Sequence, residues 1–437
     1  MAREHDEDHC PLAAVDRRLG DLHRLWHQAA DAYFDPDAFR VAIQGAIQTM
    51  RSVTFILQKN KAQIPDFDRW YGDWQKKMGA DPLMVWMRDA RNSIEKEGDL
   101  EAHSFVRAEI VASYLENGPR IDVPAKLSDA PLKLVKSIPV GALGDHIRKD
   151  GIVRIQRRWV ENTLPEYELL DAVAIAYGKL SLLVDAAHEQ LGLSKPRPTN
   201  VETGQAFHEG DRGGRLPCMI GHADSRTLDI WLATGAPVEF ETIERRLDLS
   251  EALKLEARYG VKPAGVFGVD NAPEERLRSL FATARKMFEK DGHHIMIAFL
   301  LRQGKPVDIR ELRPGEHGHK YLMMRSLAHE VVIHGADAVI MISESWSAPY
   351  NPAKPMRRAA DAPDKIELLT GTLVTKVGEP LYLVAQIRRD GRAVKLDTTV
   401  ERQGGSHYLF APVYEVWGKP VPKEWIEHPE RDGARER

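Results

Sequence analysis

Apolar positions in the first hundred residues recur at spacings of three and four, the period of a helix with one buried face. Leu12, Val15, Leu19, Leu22, Trp26 and Ala30 form the first such stripe, and Asp35-Pro36 interrupts it. Phe39, Ile43, Ile47, Met50, Val53 and Leu57 form the second. Phe67, Trp70, Trp74 and Met78 mark a third helix. Asp81-Pro82 then reads as an N-cap with proline at the first helical position. Leu83, Trp86, Met87, Ala90 and Ile94 follow as a buried stripe, with Gly98 as the stop. The pattern predicts a helical bundle.

The period then shortens. Val106, Ala108, Ile110, Ala112 and Tyr114 alternate, which suits a strand, with a helix as the alternative; Val153, Ile155, Arg157 and Trp159 alternate more cleanly as a second strand. A long helix returns over 165–191, ending at Gly192. The stretch 193–215, rich in Pro, Gly and polar residues, is expected to be a linker. Beyond it come a short strand near Leu228–Ala233, a helix near 250–259 and a helix from Pro273 to about Gly292. Strands are expected at "HHIMIAFLL" and "PVDIREL", a helix over 319–335, and strands at "DAVIMIS", "ELLTGTLVTKV", "LYLVAQIRR" and "RAVKLDTTV". Asp390-Gly391 is a hairpin signal, and "HYLFAPVYEVW" is expected to close the sheet. The expected class is α+β multidomain: an N-terminal helical bundle with a small strand insertion, and a C-terminal mixed or antiparallel sheet with packed helices. The expected boundaries are 1–192, a linker 193–215, 216–420, and a charged tail 421–437.

The chain has 437 residues, 43% of them hydrophobic and 29% charged, which suits a globular protein. A net charge of −4 recruits no nucleic acid globally, so any such site must be a local patch. Two cysteines, Cys10 and Cys218, lie far apart, which argues against a disulfide framework or a cysteine-rich zinc module. The polar start "MAREHDEDHC" has no apolar core, so no signal peptide is expected. No apolar run is long enough for a membrane span. A reducing, cytoplasmic compartment and a bacterial type of protein are expected, with no cofactor and no metal.

The stretch "MRDARNSIEKEGD" ends a late helix of the bundle. On it the N-terminal part resembles a HEPN domain (higher eukaryotes and prokaryotes nucleotide-binding). The nuclease motif of that family is an arginine, a polar residue, a few variable residues and a histidine. Arg91 and Asn92 match the first two positions. Lys96 stands in the window where the histidine belongs, and the nearest histidine, His103, lies beyond Gly98. A neutral histidine can move protons in metal-free RNA cleavage, whereas arginine only stabilises phosphorane charge. The resemblance therefore implies an RNA- or nucleotide-associated bacterial protein of defence or toxin type, catalytically degenerate, with Arg91, Asn92 and Lys96 at the site. It also implies a homodimer through the bundle. Were the chain an enzyme, a metal-independent ribonuclease would be favoured over a metallohydrolase. The bland alternative is a solvated helix end.

Other motifs are weaker. In "HEVVIH", His329 and His334 are five residues apart, which puts them on different helix faces and not in a zinc pair. His317-x-His319 with Ser326 and His329 echoes the HxH…SxxD pattern of JAMM metalloproteases, but histidine replaces the final aspartate and Lys320 the expected proline. A loop whose histidines cap the helix is the plainer reading. "GDRGGR" lacks the Lys-Ser/Thr pair of a P-loop. The basic strand "RKDGIVRIQRRW" offers Arg154, Arg157, Arg158 and Trp159 for phosphate contact and base stacking, or equally a strand edge guarded by charge. A further alternative is a non-enzymatic scaffold protein binding a partner through its C-terminal sheet.

Overall fold

The computed structural model describes residues 3–4, 10–114, 120–123, 131–136, 138, 141, 143–194, 212–220, 226–239, 254, 256–260, 272–349, 351, 353, 358–390, 393–404 and 408–421. The linker expected over 193–215 lies outside them except at its two ends. So do half of the helix near 250–259 and all but the first residue of the tail. The chain is α+β. It divides into two compact units: residues 1–109, 120–140 and 153–230, and residues 110–119, 141–152 and 231–437.

The first unit contains α1 (Ala13–Asp31), α2 (Pro36–Lys59), α3 (Phe67–Gly79) and α4 (Pro82–Glu97), followed by β1 (Ala102–Val111), β2 (Arg120–Val123), β3 (Ile152–Glu161), α5 (Leu169–Gln190) and β4 (Arg226–Trp231). Asp35 and Asp81 cap α2 and α4 by accepting backbone N–H groups, each with proline directly behind it. α1 buries Val15, Leu19, Leu22, Trp26 and Ala29. α5 buries residues on nearly every side, including Ala172, Val173, Ala176, Tyr177, Leu180, Leu183 and Val184, as a helix inside a core must. The strands form one sheet in the order β2-β1-β3-β4. Trp159 on β3 is fully buried. Its ring stacks on Phe39 at 4.6 Å, and its Nε1–H donates to the Tyr33 carbonyl at 2.9 Å.

The second unit contains α6 (Pro273–Asp291), β5 (Met296–Arg302), β6 (Lys305–Leu312), α7 (His319–Ile333), β7 (Ala338–Ser347), β8 (Ile366–Thr375), β9 (Leu381–Asp390), β10 (Ala393–Leu396), β11 (Val400–Gln403) and α8 (Ala411–Val416). The sheet runs β10-β9-β8-β7-β5-β6, with β11 also on β9, and these pairings are antiparallel. Both faces are covered, which explains why its central strands read as continuous apolar runs. Phe299, Leu301, Ile340, Ile342 and Leu369 pack with Leu277, Phe281 and Phe288 of α6. Ala298, Leu300, Val339 and Met341 point the other way, toward Leu322, Leu327 and Val331 of α7 and Phe410 and Val413. A Cβ at Gly371 would lie 2.7 Å from the Phe281 ring, so β8 needs glycine where α6 crosses it.

One element differs from expectation. "HYLFAPVYEVW" does not close the sheet; within it Tyr408–Phe410 is a 3-10 turn and Ala411–Val416 a helix. Its aromatic and β-branched composition favours a strand locally. Pro412 near the helix start and burial of Phe410, Val413 and Tyr414 at helical spacing prevail.

Candidate metal centre

Of the residues expected to form a nuclease or nucleic-acid site, Arg91, Asn92, Arg154, Arg157, Arg158 and Trp159 are engaged by neighbours. Arg91 donates to Asn92 Oδ1 at 3.1 Å and pairs with Glu95 at 2.5 Å within the same helix. Lys96 is exposed in the last turn of α4. Arg154 makes a bidentate pair with Asp229 at 2.9 and 3.0 Å. Arg157 is fully buried, its guanidinium 5.2 Å from the Trp159 ring. Arg158 donates to the Pro165 and Glu166 carbonyls. With Trp159 stacked inside the core, its ring presents no open face to a base.

The histidine motifs of the second unit resolve in structural terms. His319 Nδ1 accepts the Glu316 backbone N–H at 2.8 Å, at the start of α7. His329 is exposed. His334 gathers with Asp308 and Glu330. There the Arg310 guanidinium already supplies the cation, 2.5 Å from Asp308 and 3.0 Å from Glu330.

The donors that converge lie in the first unit. His23 and His27 are one helical turn apart on α1, in "HRLWH", so both rings project from one side. Their Nε2 atoms are 3.0 Å apart, and His23 Nε2 lies 3.1 Å from Cys218 Sγ. All three donor atoms fall within 4.8 Å of one another, and no fourth His, Cys, Asp or Glu among the described residues joins them. Burial, and then His27, lowers the His23 pKa, which favours the neutral ring that ligates metals. Burial pushes the Cys218 thiol up, so a proton must leave when a cation binds.

Cys218 reaches this place through backbone packing. It sits in the 3-10 turn Pro217–Met219, anchored by the fully buried Met219. Just upstream, Gly213 and Gly214 press against Gly178 of α5. A Cβ on Gly178 would lie 2.3 Å from the Gly213 carbonyl oxygen, and one on Gly214 would lie 2.2 Å from that of Gly178. Gly214 also has φ +78°, which glycine adopts without strain. Gly213 and Gly214 of "GDRGGR" thus let a loop touch a helix. Arg212 and Arg215 brace it by exchanging side-chain bonds to each other's carbonyls.

A second group lies along the same helix pair. Asp16 is two turns before His23 on α1. His188 Nε2 is 3.1 Å from Asp16 Oδ2 and 3.4 Å from Cys10 Sγ. Tyr177 lies near both groups: its ring is 5.9 Å from His23, and Cys218 and Asp16 add to the upward shift that burial imposes on its hydroxyl. Sequence reasoning missed His23 and His27, although a His-x3-His spacing within a helical stripe was there to see. Cys218 carries no such signal, standing 195 residues from His23.

Fold and donors together define an α+β protein whose helical unit gathers imidazole and thiol groups. The chain belongs to the bacteriophage lambda protein ea47 family, whose sequence model matches residues 4–430. Protein ea47 of Escherichia phage lambda is 32% identical over 338 residues, covering 76% of this chain and 78% of that protein. No solved structure matches. The HEPN resemblance is thereby corrected: one family spans both the helical part and the sheet part. The readings as an RNA-associated defence or toxin protein and as a scaffold fall with it. Two residues of a three-part motif on a polar helix end were too little to identify a family. Among the described residues, no helix is long and apolar enough to cross a membrane.

Proposed function

We propose that the first unit is a zinc-binding module, with His23, His27 and Cys218 as ligands and a fourth position open to water or an incoming ligand. The observation that carries this reading is the meeting of two imidazole nitrogens and a sulfur at 3.0 and 3.1 Å, from segments far apart in the chain. Zinc bonds of about 2.1 Å to nitrogen and about 2.3 Å to sulfur place tetrahedral donors about 3.4–3.6 Å apart. The side chains need open by only about 0.5 Å to admit the ion. A nitrogen and thiolate set favours zinc or another late transition ion over magnesium or calcium. Three protein ligands with one free position is the arrangement in which zinc acidifies a bound water. A reducing cytoplasm suits this reading, since Cys218 must remain a thiol; neither cysteine is in a disulfide.

The test is zinc titration of tag-free apoprotein against a chromophoric chelator. Wild type is expected to bind with a dissociation constant well below micromolar, and Cys218→Ser and His27→Ala each to lose one equivalent. Unchanged stoichiometry and affinity in both variants would remove the reading.

A further inference from the structure

The group at Cys10, Asp16 and His188 looks at first like a cysteine nucleophile with its base and orienting acid. Its geometry excludes that. Such a triad needs thiol and carboxylate on opposite ring nitrogens, so that one nitrogen takes the proton while the other is held. Here both approach the same atom: Asp16 Oδ2 is 3.1 Å and Cys10 Sγ 3.4 Å from His188 Nε2. His188 Nδ1 is already occupied by the Val184 carbonyl at 2.8 Å, one turn back on α5. A carbonyl only accepts, so Nδ1 carries a hydrogen and Nε2 is the nitrogen left facing the carboxylate and the sulfur, where the neutral ring offers a lone pair to a cation. Three electron-rich atoms around one point are complementary to a cation. A backbone carbonyl on the other ring nitrogen is the outer partner that ligating histidines usually have. The sulfur is also positioned, accepting the Leu12 backbone N–H at 3.3 Å. The His188 ring is 1% exposed, so this place is far more enclosed than the one at Cys218.

From this convergence we propose that Cys10, Asp16 and His188 form a second transition-metal site, separate from that of His23, His27 and Cys218, which binds zinc as a structural staple. Cys10 precedes α1, Asp16 lies in its first turn, and His188 lies in the last turn of α5. A bound ion therefore ties the start of one core helix to the end of another. The sulfur and imidazole select zinc over hard cations, and binding releases the Cys10 thiol proton to solvent.

The test counts zinc equivalents in tag-free full-length protein by chelator competition, for wild type, Cys10→Ser, Asp16→Asn, Cys218→Ser and the double variant Cys10→Ser/Cys218→Ser. Circular dichroism checks folding; both site substitutions are conservative and at partly exposed residues. The expected result is two equivalents in wild type, one in each cysteine variant, none in the double variant, and an affinity for one equivalent weakened at least tenfold in Asp16→Asn. If Cys10→Ser and Asp16→Asn keep every equivalent at wild-type affinity, the second site is overturned and the group is a His–Asp ion pair beside a thiol. Loss of an equivalent from Cys218→Ser in that case would leave the first site standing. Loss from Cys10→Ser but not from Cys218→Ser would support the second site alone.

Discussion

Glu168 offers a quantitative test of the first unit's core. It caps α5, its Oε2 accepting the Asp171 N–H at 2.9 Å, while its Oε1 accepts the Tyr33 hydroxyl at 3.1 Å. Burial pushes its carboxyl from 4.5 up to about 7, against the downward pull of those bonds and of Arg226. Between these values the folded chain keeps a proton that the unfolded chain has released. The proton's stabilisation is therefore complete below about pH 4.5 and is lost as pH rises through about 7. A shift of about 2.5 units corresponds to about 3 kcal/mol. The perturbation is Glu168→Gln, which removes the titration and keeps a carbonyl acceptor. Urea unfolding with chelator present would be followed from pH 4.5 to 8. Subtracting variant from wild type cancels the other titrating groups. The difference should fall by about 3 kcal/mol across that range, most steeply between about pH 5 and 6.5, midway between the two values. A flat difference would refute the argument, because Glu168 would then titrate alike in both states.

Three further outcomes follow from the packing. Gly178→Ala, which would normally favour a helix, should destabilise by about 1–3 kcal/mol because its Cβ would lie 2.3 Å from the Gly213 carbonyl; it should also weaken zinc binding at Cys218 by displacing the loop, read by unfolding and chelator competition together. Trp159→Ala should cost about 3–5 kcal/mol through loss of the Phe39 stack and the Tyr33 hydrogen bond, measured by urea midpoint. Arg91→Ala removes a half-exposed pair with Glu95 and should change stability by less than about 1 kcal/mol, with zinc stoichiometry unchanged.

Helices of the first unit were legible because each buries a single stripe against a common core. Val15, Leu19, Leu22 and Trp26, read from spacing, are buried, with Ala29 rather than Ala30 completing the stripe. The continuous apolar runs of β5 and β7 were legible as strands for the opposite reason, being covered on both faces. The helix at Ala411–Val416 was not, because its Val and Tyr favour strands and only packing decides between the two. Basic residues on β3 could not be sorted by charge alone: Arg157 is interior and Arg154 is paired to Asp229, a partner 75 residues away. The metal donors were half legible. The His23–His27 spacing is local, whereas Cys218 meets them only after Gly178, Gly213 and Gly214 let the loop settle on α5.

Zinc K-edge X-ray absorption on Cys10→Ser protein loaded with one equivalent of zinc isolates the site at His23, His27 and Cys218. One sulfur at about 2.3 Å and two imidazole nitrogens at about 2.0–2.1 Å, with a lighter fourth ligand, is the expected first shell. A shell of oxygen alone, or one without sulfur, would contradict it.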